Sequence, residues 1–154
     1  MILTGHPAPD FMLPDLDGRE VSLAQLRQDR PTLVVFFKVS CPVCQMTLPF
    51  LNRLTSSDKL HIVTISQDDA RVTQRFRARY GVTLPTLLDD EERGYAVSNA
   101  YRLTNVPSLF LVEPDGAISL AVSGFSKTDL ESIAARAGAA IFQPDEAVPA
   151  WRPG

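Results

Sequence analysis

The stretch Thr32-Leu33-Val34-Val35-Phe36-Phe37-Lys38-Val39 constrains the fold more than any other part of the chain. It is largely apolar, β-branched and aromatic, it lacks a period of two, and it is bounded by Pro31 and Ser40. A strand with one wet face alternates polar and apolar residues, whereas a run without alternation suits a strand covered on both faces. Periodicity alone leaves a buried helix open as the other reading.

The surrounding chain favours the strand. Pro14-Asp15-Leu16-Asp17-Gly18 is a turn between two short extended runs, Asp10–Leu13 and Arg19–Val21, which together suggest an N-terminal β-hairpin. Ser22 can cap a short helix to about Arg27. Beyond the apolar run, a helix is expected from about Pro42 to Thr55, with Leu48, Leu51 and Leu54 on its inner side. Leu60–Ser66 reads as a strand, and Asp69–Tyr80 as a helix stopped by Gly81. Thr86–Leu88 is short and apolar, and Glu91–Tyr101 is expected to be one helix. The strand Ser108–Val112 turns at Glu113-Pro114-Asp115-Gly116 into Ala117–Val122, and Thr128–Ala137 forms a last helix before Gly138. This alternation predicts an α/β layer sandwich with a mixed sheet. The division expected is a single domain over 1–142 and a Pro-rich tail over 143–154, which the sequence leaves unplaced.

A chain of 154 residues with 45% hydrophobic content can build a core without staples. Its two cysteines are too few for a disulfide scaffold. A formal charge of −3 argues against nucleic acid or an anionic membrane as the main partner. The densest basic cluster, Arg71, Arg75, Arg77 and Arg79, reads as the solvated face of a helix. No apolar run approaches the roughly 20 residues that span a bilayer, so no membrane span is expected. The first residues lack a basic stretch followed by an apolar one. The expected location is cytoplasmic, or periplasmic if a leader has been trimmed away.

The cysteines stand together in Cys41-Pro42-Val43-Cys44, directly after the apolar run. At the start of a helix, that spacing brings two thiols within disulfide reach. Pro42 suits the first helical position, which puts Cys41 at the N-cap. There its sulfur can face the free N–H groups of Val43 and Cys44, and the helix dipole favours negative charge. Both effects favour a thiolate, the form that attacks disulfides. Cys44, one turn further in, is expected to be the less exposed thiol that resolves a mixed disulfide.

Three other readings of the pair compete. Half of a zinc site would need two more ligands, but the only histidines, His6 and His61, lack metal-ligand spacing, so no metal is expected. A purely structural disulfide would close too short a loop to remove much unfolded-state entropy. Two inert buried thiols are the third reading. No cofactor is called for.

With these residues in view, nearly the whole chain resembles the thioredoxin superfamily. An apolar strand running into Cys41-Pro42-Val43-Cys44 looks like that family's active site, and Pro49 matches the proline that kinks its active-site helix. Val106-Pro107, just before the strand Ser108–Val112, looks like the cis-proline that faces the dithiol. The resemblance implies that the Val106 backbone pairs with an extended substrate segment, with Pro107, Pro42 and Val43 completing the contact surface. It also implies a three-layer sandwich. The run Gly5-His6-Pro7-Ala8-Pro9-Asp10-Phe11 and the segment Ser66-Gln67-Asp68-Asp69 are similar to the redoxin (AhpC/TSA-like) branch. That branch holds peroxiredoxins and thiol-disulfide oxidoreductases of the TlpA type. The distance from Cys41 to Pro107 leaves room for its extra strand and helix.

The chain departs from the family pattern at several places. Ser40 stands where Trp usually precedes the first cysteine. Val35 stands where thioredoxin has a buried acid, and Thr47 where some TlpA-type proteins carry Glu. No carboxylate is therefore visible to take a proton from Cys44, so resolution is expected to rely on water or to be slow. Lys38 is the unusual nearby charge; it could favour the thiolate or simply be solvated.

The function expected first is a thiol-disulfide oxidoreductase acting as a reductant. Its partners would be a disulfide-containing protein or small-thiol substrate and an unidentified electron donor. A peroxiredoxin-like peroxidase is the alternative enzyme. It fits less well, because Val34 and Lys38 occupy the Pro and Thr positions around the peroxidatic cysteine, leaving Arg102 as the candidate arginine. A non-enzymatic redox-sensing module is the third reading.

Overall fold

A computed structural model describes residues 1–154. The strands are β1 (Met12–Pro14), β2 (Glu20–Ser22), β3 (Thr32–Phe37), β4 (His61–Ser66), β5 (Thr86–Leu88), β6 (Ser108–Val112), β7 (Ile118–Ser123), β8 (Phe125–Ser126) and β9 (Trp151–Arg152). The helices between them are α1 (Leu23–Leu26), α2 (Pro42–Asn52), α3 (Ala70–Tyr80), α4 (Ala96–Ala100) and α5 (Lys127–Ala137).

All six residues of β3 are buried, as the lack of alternation requires. The strand lies in the middle of a five-stranded sheet of order β5-β4-β3-β6-β7. It runs parallel to β4 and antiparallel to β6, so the sheet is mixed. Alternate β3 side chains enter two separate cores. Leu33, Val35 and Phe37 pack with Leu48 and Leu51 of α2, Phe76 of α3 and Leu130 and Ile133 of α5. Val34 and Phe36 pack on the other face with Phe11, Leu13, Leu23, Tyr101 and Phe110. Helices on both faces of the sheet make the three-layer sandwich expected from the sequence. The N-terminal hairpin is β1 paired with β2, and the extra strand is β5, added in parallel to β4 at the sheet edge.

Two elements differ from the sequence expectation. The central strand ends at Phe37 rather than Val39, because the Val39 N–H donates to Asp68 Oδ2 (2.8 Å) instead of a neighbouring strand. The helix expected over Glu91–Tyr101 is broken. Gly94 and Tyr95 are both left-handed, with φ of 64° and 52°, and separate a 3₁₀ turn (Glu91–Arg93) from α4. The start of α4 has no cap of its own. The buried Asp89 carboxylate supplies one by accepting from Val97 N (3.2 Å), Ser98 N (2.7 Å) and Ser98 Oγ (2.7 Å).

The C-terminal segment, unplaced from sequence, folds back over the end of the sheet. Arg53 forks onto Glu146 with two 2.8 Å bonds, which pull the Glu146 carboxyl down to about 2. Phe142 packs between the rings of Phe50 and Phe125. β9 then pairs with β8 in antiparallel register. No helix is long and apolar enough to cross a membrane.

Candidate active site

β3 delivers the chain to Lys38, and the next turn sets up the dithiol. Cys41 is the N-cap of α2 with Pro42 at the first helical position, and its sulfur accepts from the Cys44 N–H at 3.2 Å. Only that one N–H reaches the sulfur; the expected bond from Val43 is absent. The turn is closed from outside the helix as well. Cys41 N donates to the Lys38 carbonyl (3.3 Å), and Gln45 Nε2 donates to the Val39 carbonyl (2.9 Å). Pro49 lies inside α2, where it cannot donate to the Gln45 carbonyl, yet the helix continues to Asn52.

The two cysteines occupy unequal positions. Cys41 is half-buried, while Cys44 is fully buried in the core with Leu48 and Leu51. Burial pushes the Cys44 thiol well above its ordinary value, and the adjacent Cys41 sulfur and the negative charge of Asp68 add to this. The Lys38 backbone N–H works in the opposite direction. This has a consequence for stability in the reduced protein. The folded state keeps the Cys44 proton at a pH where the unfolded chain, near the ordinary value of 9.0, loses it. The stabilisation is therefore complete below that pH and falls as pH rises past it, by roughly 1.4 kcal/mol per unit. Denaturant titrations of reduced wild type and Cys44→Ala at about pH 7 and about pH 10 check this. The wild type is expected to lose about 1 kcal/mol more than the variant on going to the higher pH.

Val106 and Pro107 stand opposite the dithiol. Their peptide bond is cis, as the family position implies, and the Cys41 thiol donates to the Val106 carbonyl at 3.4 Å. Pro42 is exposed and Val43 half-buried beside Cys41, whereas Pro107 is buried, so of these residues it is the Val106 carbonyl that meets the Cys41 thiol. Ser40 is exposed and its hydroxyl makes no hydrogen bond within the chain. The Lys38 side chain is exposed and pairs with no acid; its backbone carbonyl, not its ammonium, is what touches the dithiol, through the Cys41 N–H. Arg102 is exposed and lines a cleft with His6 and Pro7 at the N-terminus, a cleft that includes none of the dithiol residues.

Sequence reasoning missed Asp68. Its residue type and its Ser66-Gln67-Asp68-Asp69 context were visible, but its neighbour was not. In the β3–β4 register Phe37 lies opposite Ser66, so the two strand ends leave the sheet together. This places the Asp68 carboxylate on the Val39 N–H, one residue along from the Lys38 carbonyl that receives the Cys41 N–H.

The thiol-disulfide oxidoreductase ResA of Geobacillus kaustophilus is 28% identical over 135 residues, covering 84% of this chain and 75% of that protein. Among solved structures, the thioredoxin domain of a thiol-disulfide oxidoreductase from Bacteroides vulgatus superposes with a TM-score of 0.77 at 22% identity, covering 88% of this chain and 98% of that one. The peroxidoxin BcpB of Mycobacterium tuberculosis superposes with a TM-score of 0.73 at 21% identity over 89% of this chain and 96% of that one. These two likenesses show the thioredoxin-like fold, which both activities share. The AhpC/TSA family description matches residues 4–121, and the chain belongs to that family.

Proposed function

We propose that the chain is a thiol-disulfide oxidoreductase working through Cys41 and Cys44. One observation carries the reading: a half-buried thiol at a helix N-cap lies against a second, fully buried thiol one turn along. The Cys41 thiolate attacks one sulfur of a substrate disulfide. A Cys41–substrate bond forms, and the other substrate sulfur leaves with the electron pair and gains a proton. Cys44 then gives up its proton and attacks the Cys41 sulfur, which closes the Cys41–Cys44 disulfide and releases the second substrate thiol. Two electrons have passed to the substrate, and an electron donor restores the dithiol.

The proposed direction is reductive, in a cytoplasmic setting. A reduction potential near the thioredoxin value of about −270 mV supports this, and one near about −120 mV reverses the direction. Catalysed reduction of insulin disulfides by dithiothreitol tests the activity itself. Failure to exceed the uncatalysed rate rejects it. The peroxidase reading has less support, since Lys38 replaces the activating threonine and Arg102 lies in the N-terminal cleft.

For proton removal from Cys44 we propose Asp68, whose carboxylate is held on the dithiol turn by the Val39 N–H. Asp68→Asn keeps an oxygen for the Val39 N–H but cannot take a proton. It is expected to slow resolution of the mixed disulfide about a hundredfold, the lower end of what a positioned general base contributes. The pH dependence of resolution should change with it. Stopped-flow measurement of that step checks the assignment; an unchanged rate and pH profile would leave Asp68 a structural acceptor only.

A further inference from the structure

The face opposite Cys41 already has an occupant. Beyond α5 the chain returns to the active-site end of the sheet as an extended strand. Phe125 pairs with Arg152 and Ser126 with Trp151, while Lys127 N donates to the Ala150 carbonyl at 2.9 Å. β8, which receives this strand, is itself tied to the active site, because Gly124 N donates to the Pro107 carbonyl at 2.8 Å. After Arg152 the segment passes directly onto the residues before Pro107. A Cβ placed on Gly154 would lie 2.5 Å from the Val106 carbonyl oxygen and 2.7 Å from Asn105 Nδ2. Gly154 therefore rests on the same carbonyl that receives the Cys41 thiol.

This contact has the form of a bound peptide. It is made by main chain that leaves the β8–β9 pairing, and at its closest point, Gly154, it admits only a residue without a side chain. The platform beneath it is firm. Asn105 Oδ1 accepts from Ser123 Oγ (2.8 Å), and the Asn105 carbonyl accepts from Ser108 Oγ (2.8 Å), which leaves Nδ2 turned towards the segment. The approach of the two backbones is also close at Gly124, where φ is +80° and any Cβ would collide with the Arg152 carbonyl. Yet the segment is weakly held. Trp151, its largest side chain, is 56% exposed, so a few backbone hydrogen bonds rather than apolar burial keep it in place.

We infer that residues 151–154 act as an intramolecular pseudo-substrate: they occupy the Val106–Asn105 edge beside Cys41, and a polypeptide disulfide must displace them to dock. A small disulfide that reaches Cys41 without using that edge is not held back. The inference rests on the oxidoreductase reading for the identity of the nucleophile. It adds a discrimination between substrate classes set by the chain itself.

The test compares two reagents on Cys44→Ser protein, so that each reaction stops at the mixed disulfide. One is the symmetric disulfide of thionitrobenzoate. The other is a short unstructured peptide whose single cysteine carries thionitrobenzoate in disulfide linkage. In both, the Cys41 sulfur bonds to the attacked sulfur, and thionitrobenzoate departs with the electron pair as a coloured thiolate. Deletion of residues 151–154 is expected to raise the peptide rate about tenfold, the scale of one or two lost backbone bonds, and to leave the small-reagent rate within about twofold. Gly154→Val keeps the chain whole and guards against a misfolded deletion; it should move the peptide rate in the same direction. An unchanged peptide rate in both variants, or an equal rise with both reagents, overturns the inference. If Cys41 reacts with neither reagent even in the full-length chain, the oxidoreductase reading falls and this proposal falls with it.

Discussion

Cys41→Ser is expected to remove catalysed insulin reduction, lowering the rate over background by on the order of a thousandfold or more. A serine hydroxyl stays protonated where a thiol can ionise, and a neutral hydroxyl does not attack a disulfide sulfur. The substitution is also structurally mild. Cys41 serves as N-cap of α2 by accepting from Cys44 N, and serine is among the best residues for that position. The variant should therefore keep its circular dichroism spectrum and denaturation midpoint while losing activity. Retained turnover would move the nucleophile elsewhere. Cys44→Ser should behave differently, since Cys41 still attacks and the mixed disulfide accumulates as a stable species visible by mass spectrometry.

The largest expected effect on stability lies on the opposite face of the central strand. Phe36 is fully buried, with its ring 5.1 Å from that of Tyr101 and 5.9 Å from that of Phe110. Truncation to alanine leaves a cavity between two aromatic rings anchored on different elements. Tyr101 is held by its hydroxyl, which donates to the Pro9 carbonyl at 2.7 Å, so it cannot readily collapse inward. Phe36→Ala is expected to cost about 3–5 kcal/mol, a large part of the roughly 5–15 kcal/mol that a domain of this kind has in total. Urea denaturation should show a lower midpoint at an unchanged slope. A loss below about 1 kcal/mol would mean that the site repacks. Because Phe36 lies in the core on the face of β3 away from Cys44, activity per folded molecule should be preserved even as the folded fraction drops.

Asp68 and the pseudo-substrate segment extend the same site in different directions. Asp68 bears on the buried thiol and on the second chemical step; residues 151–154 bear on substrate access and on the first. Their tests therefore separate, since Asp68→Asn should alter resolution with any substrate, whereas loss of the segment should alter only docking of a polypeptide.

Much of this was legible in the residues. The unalternating run Thr32–Val39 favoured a strand buried on both faces over a buried helix, and Thr32–Phe37 forms it, because full coverage suits apolar residues in consecutive positions. Cys41-Pro42-Val43-Cys44 specified a helix start with one capping and one inward thiol, because Pro42 and the spacing act locally along the chain. Ser22, Asp69 and Gly81 marked helix ends for the same local reason. What only the tertiary structure decided are contacts between residues far apart in sequence. The parallel register of β3 and β4 brought Asp68 to the dithiol turn. The Asp89 carboxylate capped a helix that its own residues could not start. Backbone pairing carried Gly154 onto Val106, through a two-residue strand whose hydrogen bonds depend on the partner and not on any sequence pattern.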